Sequence, residues 1–141
     1  MYDRQSIVDE ALKWKDVPWK HQGRTRSGID CAGLVVLVGK ALNLIDYDYL
    51  TYTRHTNQDK FLQHFRMVLK EKPLSQREPG DVLLFRDGVQ SCHSAIYAPI
   101  FNSPGIIHAY AGRRKVVHDP LTPEVVAKMT YCFEYPNIGG M

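Results

Sequence analysis

Cys31, His93 and His108 are the residues of this 141-residue chain best suited to covalent chemistry. Cys31 follows Asp30 and leads into Ala32-Gly33-Leu34-Val35-Val36-Leu37-Val38. Aspartate is a preferred N-cap, because its carboxylate accepts from the open amides of a first helical turn. Cys31 is then the first residue of a buried helix, and its thiol feels the positive end of the helix dipole. Cysteines so placed fall from about 8.5 to roughly 3.5–7.5 in pKa, and the thiolate is the nucleophile. Ala32 and Gly33 carry little bulk, which leaves room for a substrate near the sulfur. Taken alone, a cysteine before an apolar run reads more readily as a small core residue. The histidines are what raise the reactive reading.

A thiolate nucleophile needs a base, and the base needs an orienting partner. Cys92 to Tyr97 alternates, with His93, Ala95 and Tyr97 on one face of a strand. Gly105 to Tyr110 is a second strand, with Ile106, His108 and Tyr110 on one face. Neighbouring strands lie ~4.8 Å apart, so two histidines on one face can hydrogen-bond. The expected triad has Cys31 as nucleophile, His93 as base and His108 holding the His93 ring in its productive tautomer. Each histidine alone reads as a structural residue; the set is more specific than its members. His118 and His21 are weaker candidates, and Cys92 alternates to the opposite face and is assigned to the core.

Several elements must position these groups. Residues 3 to 15 read as a first helix capped by Asp3, with Ile7, Val8, Ala11 and Leu12 at helical spacing. Residues 17 to 29 read as a basic, polar loop with Trp19 as an aromatic anchor and candidate pocket wall. The Cys31 helix should run to about residue 42 or 44. A polar, aromatic loop follows, and a third helix begins at Thr56, with Asp59 as a capping-box variant. The stripe Phe61, Leu62, Phe65, Val68 and Leu69 faces the core. His55 and His64 read as solvated. Beyond residue 78 the period becomes strand-like: Val82 to Phe85, Cys92 to Tyr97, Gly105 to Tyr110, Lys115 to His118 and Thr130 to Tyr135. Thr122-Pro123 opens a short helix. The pattern is α+β, with N-terminal helices packed on an antiparallel sheet of about five strands. The length suits a single domain, residues 1 to 141.

The net charge of +3 is too small a bias to argue for nucleic acid. No apolar run reaches the ~20 residues that span a bilayer. The N-terminus lacks a basic-then-apolar leader, so synthesis in the cytoplasm without a signal peptide is expected. Three cysteines without a paired spacing argue against a disulfide framework or structural zinc. A metal site built from Cys31, Cys92, His93 and His108 is an alternative, opposed by the alternation that turns Cys92 away. No cofactor is implied.

Four blocks together carry a resemblance: Asp30-Cys31-Ala32-Gly33-Leu34-Val35, Pro79-Gly80-Asp81-Val82-Leu83-Leu84-Phe85, His93-Ser94-Ala95-Ile96-Tyr97 and Ile107-His108-Ala109. In order, character and separation they resemble the NlpC/P60 cysteine peptidases. Pro18-Trp19-Lys20-His21-Gln22-Gly23-Arg24 and Phe133-Glu134-Tyr135-Pro136 look most like the phage-borne branch of that family. The resemblance implies a papain-like fold and hydrolysis of amide bonds in peptidoglycan stem peptides, commonly the D-γ-glutamyl–diaminopimelate bond. It makes Cys31 the nucleophile, His93 the base and His108 the third, polar member. It places Asp30 beside the site, facing a substrate amine. The family usually has serine where Ala32 stands and tyrosine where Trp19 stands. Substrate contact then falls to the Ala32 backbone amide, to stacking on Trp19 or to His21. The expected partners are a stem peptide and, for a virion-associated enzyme, phage tail-tip proteins. The competing function is a tail-tip or tail-assembly component that keeps the fold with little activity.

Overall fold

The computed structural model describes residues 3–46, 48, 58–87 and 90–138, the side chains of 58–60, 87 and 90–92 excepted. The expected capping at Thr56 and Asp59, His55, the Cys92 side chain and most of the aromatic loop lie outside the described residues.

Helix α1 (Arg4–Leu12) begins at Asp3, whose extended backbone and carboxylate take the Ser6 amide at 2.9 Å. It ends three residues before the expected boundary. The chain turns through residues 13–16, Asp16 adopts φ +71°, and its amide donates to the Val116 carbonyl. A bond to a distant strand has replaced the next helical one.

The 17–29 segment holds more order than the expected loop. Strands β1 (Arg24–Thr25) and β2 (Gly28–Ile29) form a small antiparallel hairpin. Backbone bonds pin it down: Trp19 N–H donates to Arg114 O at 2.8 Å, and Ile29 N–H to Pro18 O at 2.9 Å. Helix α2 (Cys31–Ala41) then starts at Asp30 as expected, and α3 (Gln58–Val68) follows.

The remaining chain is a six-stranded antiparallel sheet, one strand more than expected. Its members are β3 (Lys70–Lys72), β4 (Val82–Asp87), β5 (Gln90–Tyr97), β6 (Gly105–Tyr110), β7 (Lys115–Pro120) and β8 (Met129–Glu134), in the order β3-β8-β4-β5-β6-β7. The added strand is β3, a charged Lys-Glu-Lys run with no apolar alternation to announce it; it exists because β8 returns to pair with it. Helix α4 (Pro123–Val126) has Thr122 as its cap and Pro123 at the first position.

Two apolar clusters lie against the sheet. The larger joins Ile7, Leu34, Val35 and Val38 from the helices to Leu84, Ile96, Ile107, Val116 and Phe133. The smaller gathers Leu83, Phe85, Ala95, Ile106 and Cys132, the residues of opposite strand parity. Between Phe61 and Phe65 on α3 the ring centroids are 4.9 Å apart, and Phe65 reaches Phe133 at 6.0 Å. The Tyr135 hydroxyl, fully buried, donates to Val35 O at 2.6 Å and ties the chain end to α2. Burial raises its pKa well above 10.

A buried carboxylate joins the first helix to the sheet. Asp81 is fully buried and accepts from Arg4 at 2.6 Å, Lys72 at 2.9 Å and the Glu78 amide at 2.8 Å. Three well-placed donors are what make a charge at that depth tolerable.

Candidate active site

The start of α2 is fixed by one carboxylate. Asp30 is 3% exposed. Its Oδ1 accepts the Gly33 amide at 2.8 Å and Arg24 at 3.1 Å, and its Oδ2 accepts the Gln22 amide at 2.7 Å. Arg24 also reaches Asp48 at 3.0 Å through both carboxylate oxygens. Asp30 therefore holds the 22–24 turn against the helix as well as capping it. Gly33 serves the same approach. A Cβ there would lie 2.6 Å from Gly23 O and 2.8 Å from an Arg24 guanidinium nitrogen. The space expected for substrate at Gly33 is filled by the chain's own loop.

Cys31 occupies the first position of α2, half-exposed and with a reduced thiol. Ala32 turns inward. It is buried and helps line a small apolar pocket with Val35, Val36, Ile45, His64, Phe65, Val68 and Leu69. A methyl suits that wall; a hydroxyl there would need a partner. His64, expected to be solvated, is instead half-buried in the same wall, and burial lowers its pKa. Trp19 is half-buried and packs against the larger cluster, as an anchor should. His21 stands in the adjoining turn, half-buried.

The expected histidine pair forms. His93 Nε2 lies 2.8 Å from His108 Nδ1. His93 shares strand parity with Ala95, and His108 with Ile106. Strands β5 and β6 pair at Ile96–Ile107 and Tyr97–Ile106. The two rings meet just past those pairs. Tyr110 stacks on His108 at 5.2 Å and 14°, and Phe85 flanks His93 at 6.0 Å. Burial, then the nearby His108, pushes His93 down to about 3. His108 is also lowered, chiefly by burial, against the opposing pull of Asp119.

The sequence reading missed Asp119. Its Oδ2 lies 3.1 Å from His108 Nε2, and Arg113 reaches its Oδ1 at 3.3 Å. The register that reveals it is His108 opposite Val117 on β7, which places Asp119 two residues on and on the same face. His118, a weaker candidate, is occupied elsewhere: its Nε2 is 2.8 Å from Ala98 O. Among the described residues, no group of three or more His, Cys, Asp or Glu side chains is placed to hold a metal ion.

None of the curated proteins compared matches the chain. Solved structures do. The NlpC/p60 domain of peptidoglycan hydrolase SagA superposes with a TM-score of 0.66 at 21% identity, covering 94% of this chain and 98% of that one. An NlpC/P60 family protein from Bacillus cereus ATCC 10987 gives 0.67 at 20%, covering 94% of this chain and 40% of that one. An N-acetylmuramoyl-L-alanine amidase from Bacteroides uniformis ATCC 8492 gives 0.61 at 13%, over 92% and 96%. At these identities the likeness concerns the fold. The model of the NlpC/P60 family matches residues 16–134. The chain has the family's papain-like α+β fold, and it belongs to the NlpC/P60 family.

Proposed function

We propose that this protein is a cysteine peptidase or amidase that hydrolyses amide bonds in peptidoglycan stem peptides, with Cys31 as nucleophile and His93 as base. The observation that carries the reading is the hydrogen-bonded His93–His108 pair on two strands, β5 and β6, against which α2 packs with Cys31 at its first position. The solved structures named as a peptidoglycan hydrolase and an amidase support this reading of the substrate class. The two histidines project on the smaller cluster's face, while Cys31 packs against the larger one. The proposed reaction requires the thiol at the helix start to reach the rings beyond the Ile96–Ile107 and Tyr97–Ile106 pairs, where the β5–β6 pairing ends.

In the proposed reaction His93 takes the thiol proton as sulfur attacks the amide carbonyl. The new C–S bond gives a tetrahedral oxyanion, which backbone amides at the start of α2, Ala32 among them, stabilise. The C–N bond then breaks, His93 protonates the leaving amine, and a thioester remains. Water activated by His93 releases the acid and restores the thiol. Trp19 and His21, on the turn packed against the helix start, form the proposed substrate wall, and the buried Asp30 holds that turn in place from behind.

The finer reading is cleavage of the D-γ-glutamyl–diaminopimelate bond by a phage-borne, tail-associated enzyme. It rests on the resemblance of residues 18–24 and 133–136 to the phage-borne branch. Incubation with purified muropeptides, read by mass spectrometry, tests the activity and identifies the bond from the fragment masses. Wild-type cleavage that is lost in Cys31→Ala and His93→Ala is expected. No cleavage by wild type, or equal cleavage by Cys31→Ala, overturns the reading.

A further inference from the structure

Resting on that proposed function, we propose that Asp119 is a positioning residue that sets the tautomers of both histidines, so that His93 Nδ1 is the atom that takes the thiol proton.

The argument runs inward from the carboxylate. A carboxylate only accepts hydrogen bonds, and a neutral imidazole has one N–H and one lone pair. Asp119 Oδ2 lies 3.1 Å from His108 Nε2, so that nitrogen carries the hydrogen. The lone pair of His108 is then on Nδ1, which faces His93 Nε2 at 2.8 Å. His93 Nε2 must donate, and the lone pair of His93 is left on Nδ1. The opposite assignment sets the lone pair of His108 Nε2 against a carboxylate oxygen. Burial disfavours a charged His108, the one form that donates from both nitrogens and reverses His93.

The carboxylate is itself placed. Arg113 engages its other oxygen at 3.3 Å, and the β6–β7 register sets Asp119 diagonal to His108. Tyr110, stacked at 14°, holds the plane of the His108 ring. Without Asp119, His108 is free to protonate Nδ1, which turns His93 Nε2 into an acceptor and puts the proton on His93 Nδ1. That tautomer has no lone pair to offer the thiol.

The test reads tautomers and turnover separately. In the full chain labelled with 15N-histidine, two-bond correlation spectra near neutral pH are expected to show wild-type His93 and His108 both protonated at Nε2. Asp119→Ala and Asp119→Asn are expected to populate the Nδ1–H form of both rings. With muropeptide substrate, their kcat is expected to fall about tenfold or more, a part of the roughly 10²–10⁴-fold that a general base contributes, with KM changed less than twofold. Asp119→Glu, which keeps an acceptor, is expected to recover part of the kcat and the wild-type tautomers. Wild-type His93 protonated at Nδ1 overturns the proposal, as do unchanged tautomers in both Asp119→Ala and Asp119→Asn. The spectra need no substrate, so a wild type that cleaves nothing defeats the proposed function alone. Asp119 is partly exposed, and urea midpoints close to wild type confirm that the variants are folded.

Discussion

His93 Nε2 and His108 Nδ1 are 2.8 Å apart, with the two rings at 67°. One hydrogen bond joins the two rings, and burial there makes charge costly. His93 is pushed down from 6.5 to about 3 by burial first and His108 second. The unfolded chain, titrating near 6.5, therefore takes up a proton that the folded protein refuses. Stability is fully present above about pH 6.5 and declines as pH falls toward 3. Between pH 6 and 5 the wild type should lose about 1 kcal/mol more than His93→Gln. Urea unfolding at the two pH values measures this; equal losses refute it.

Asp30 accepts from Gly33, Gln22 and Arg24 within a buried site. Asp30→Ala removes a helix cap and a carboxylate that, with Asp48, holds the half-buried Arg24, and should cost about 2 kcal/mol or more. Denaturant midpoints check this. A change below half that value means the carboxylate is not what holds the turn to the helix.

Asp81→Ala leaves Arg4 and Lys72 without their most buried partner, although Glu78 and Glu134 stay near both. The expected cost is about 3 kcal/mol, at the lower end for a broken buried pair. Guanidinium unfolding at low denaturant slope error gives the comparison, and a neutral result contradicts the network's role.

The two described thiols should differ in reactivity. Cys132 is buried, 3.8 Å from Asp81, and burial with that carboxylate raises its pKa to about 12. Cys31 is half-exposed. In a Cys92→Ala background, iodoacetamide at neutral pH should label one site in the native protein, Cys31, and two after unfolding. Native labelling of Cys132 contradicts this.

Phe101 is 98% exposed with φ +48°, followed by Asn102 at φ +71°. A bulky side chain in the left-handed region is strained, and here it is almost fully exposed. Phe101→Gly should stabilise the protein by about 1 kcal/mol. Thermal unfolding reads the sign directly.

Much of this was legible because local rules and tertiary packing agree. Asp30 before small and branched apolar residues could only cap a helix. The alternation around His93 and around His108 put both rings on one face. What stayed hidden depends on the distant chain. Lys70–Lys72 becomes a strand through β8, and no local pattern encodes that pairing. Asp119 follows His118 in a short run whose face is fixed by register with β6, so its link to His108 needed the pairing, not the composition. Gly33 read as room for substrate because its neighbour, Gly23, is ten residues away in sequence.

β5 and β6 are joined at Ile96–Ile107 and Tyr97–Ile106, whereas β6 and β7 are paired through six consecutive residues. His108 and Asp119 thus ride on one ribbon and His93 on another. A small splay between the ribbons lengthens the His93–His108 link and leaves the His108–Asp119 link intact. The tautomer that readies His93 as base therefore depends on two ribbons that share two ladder pairs staying in register.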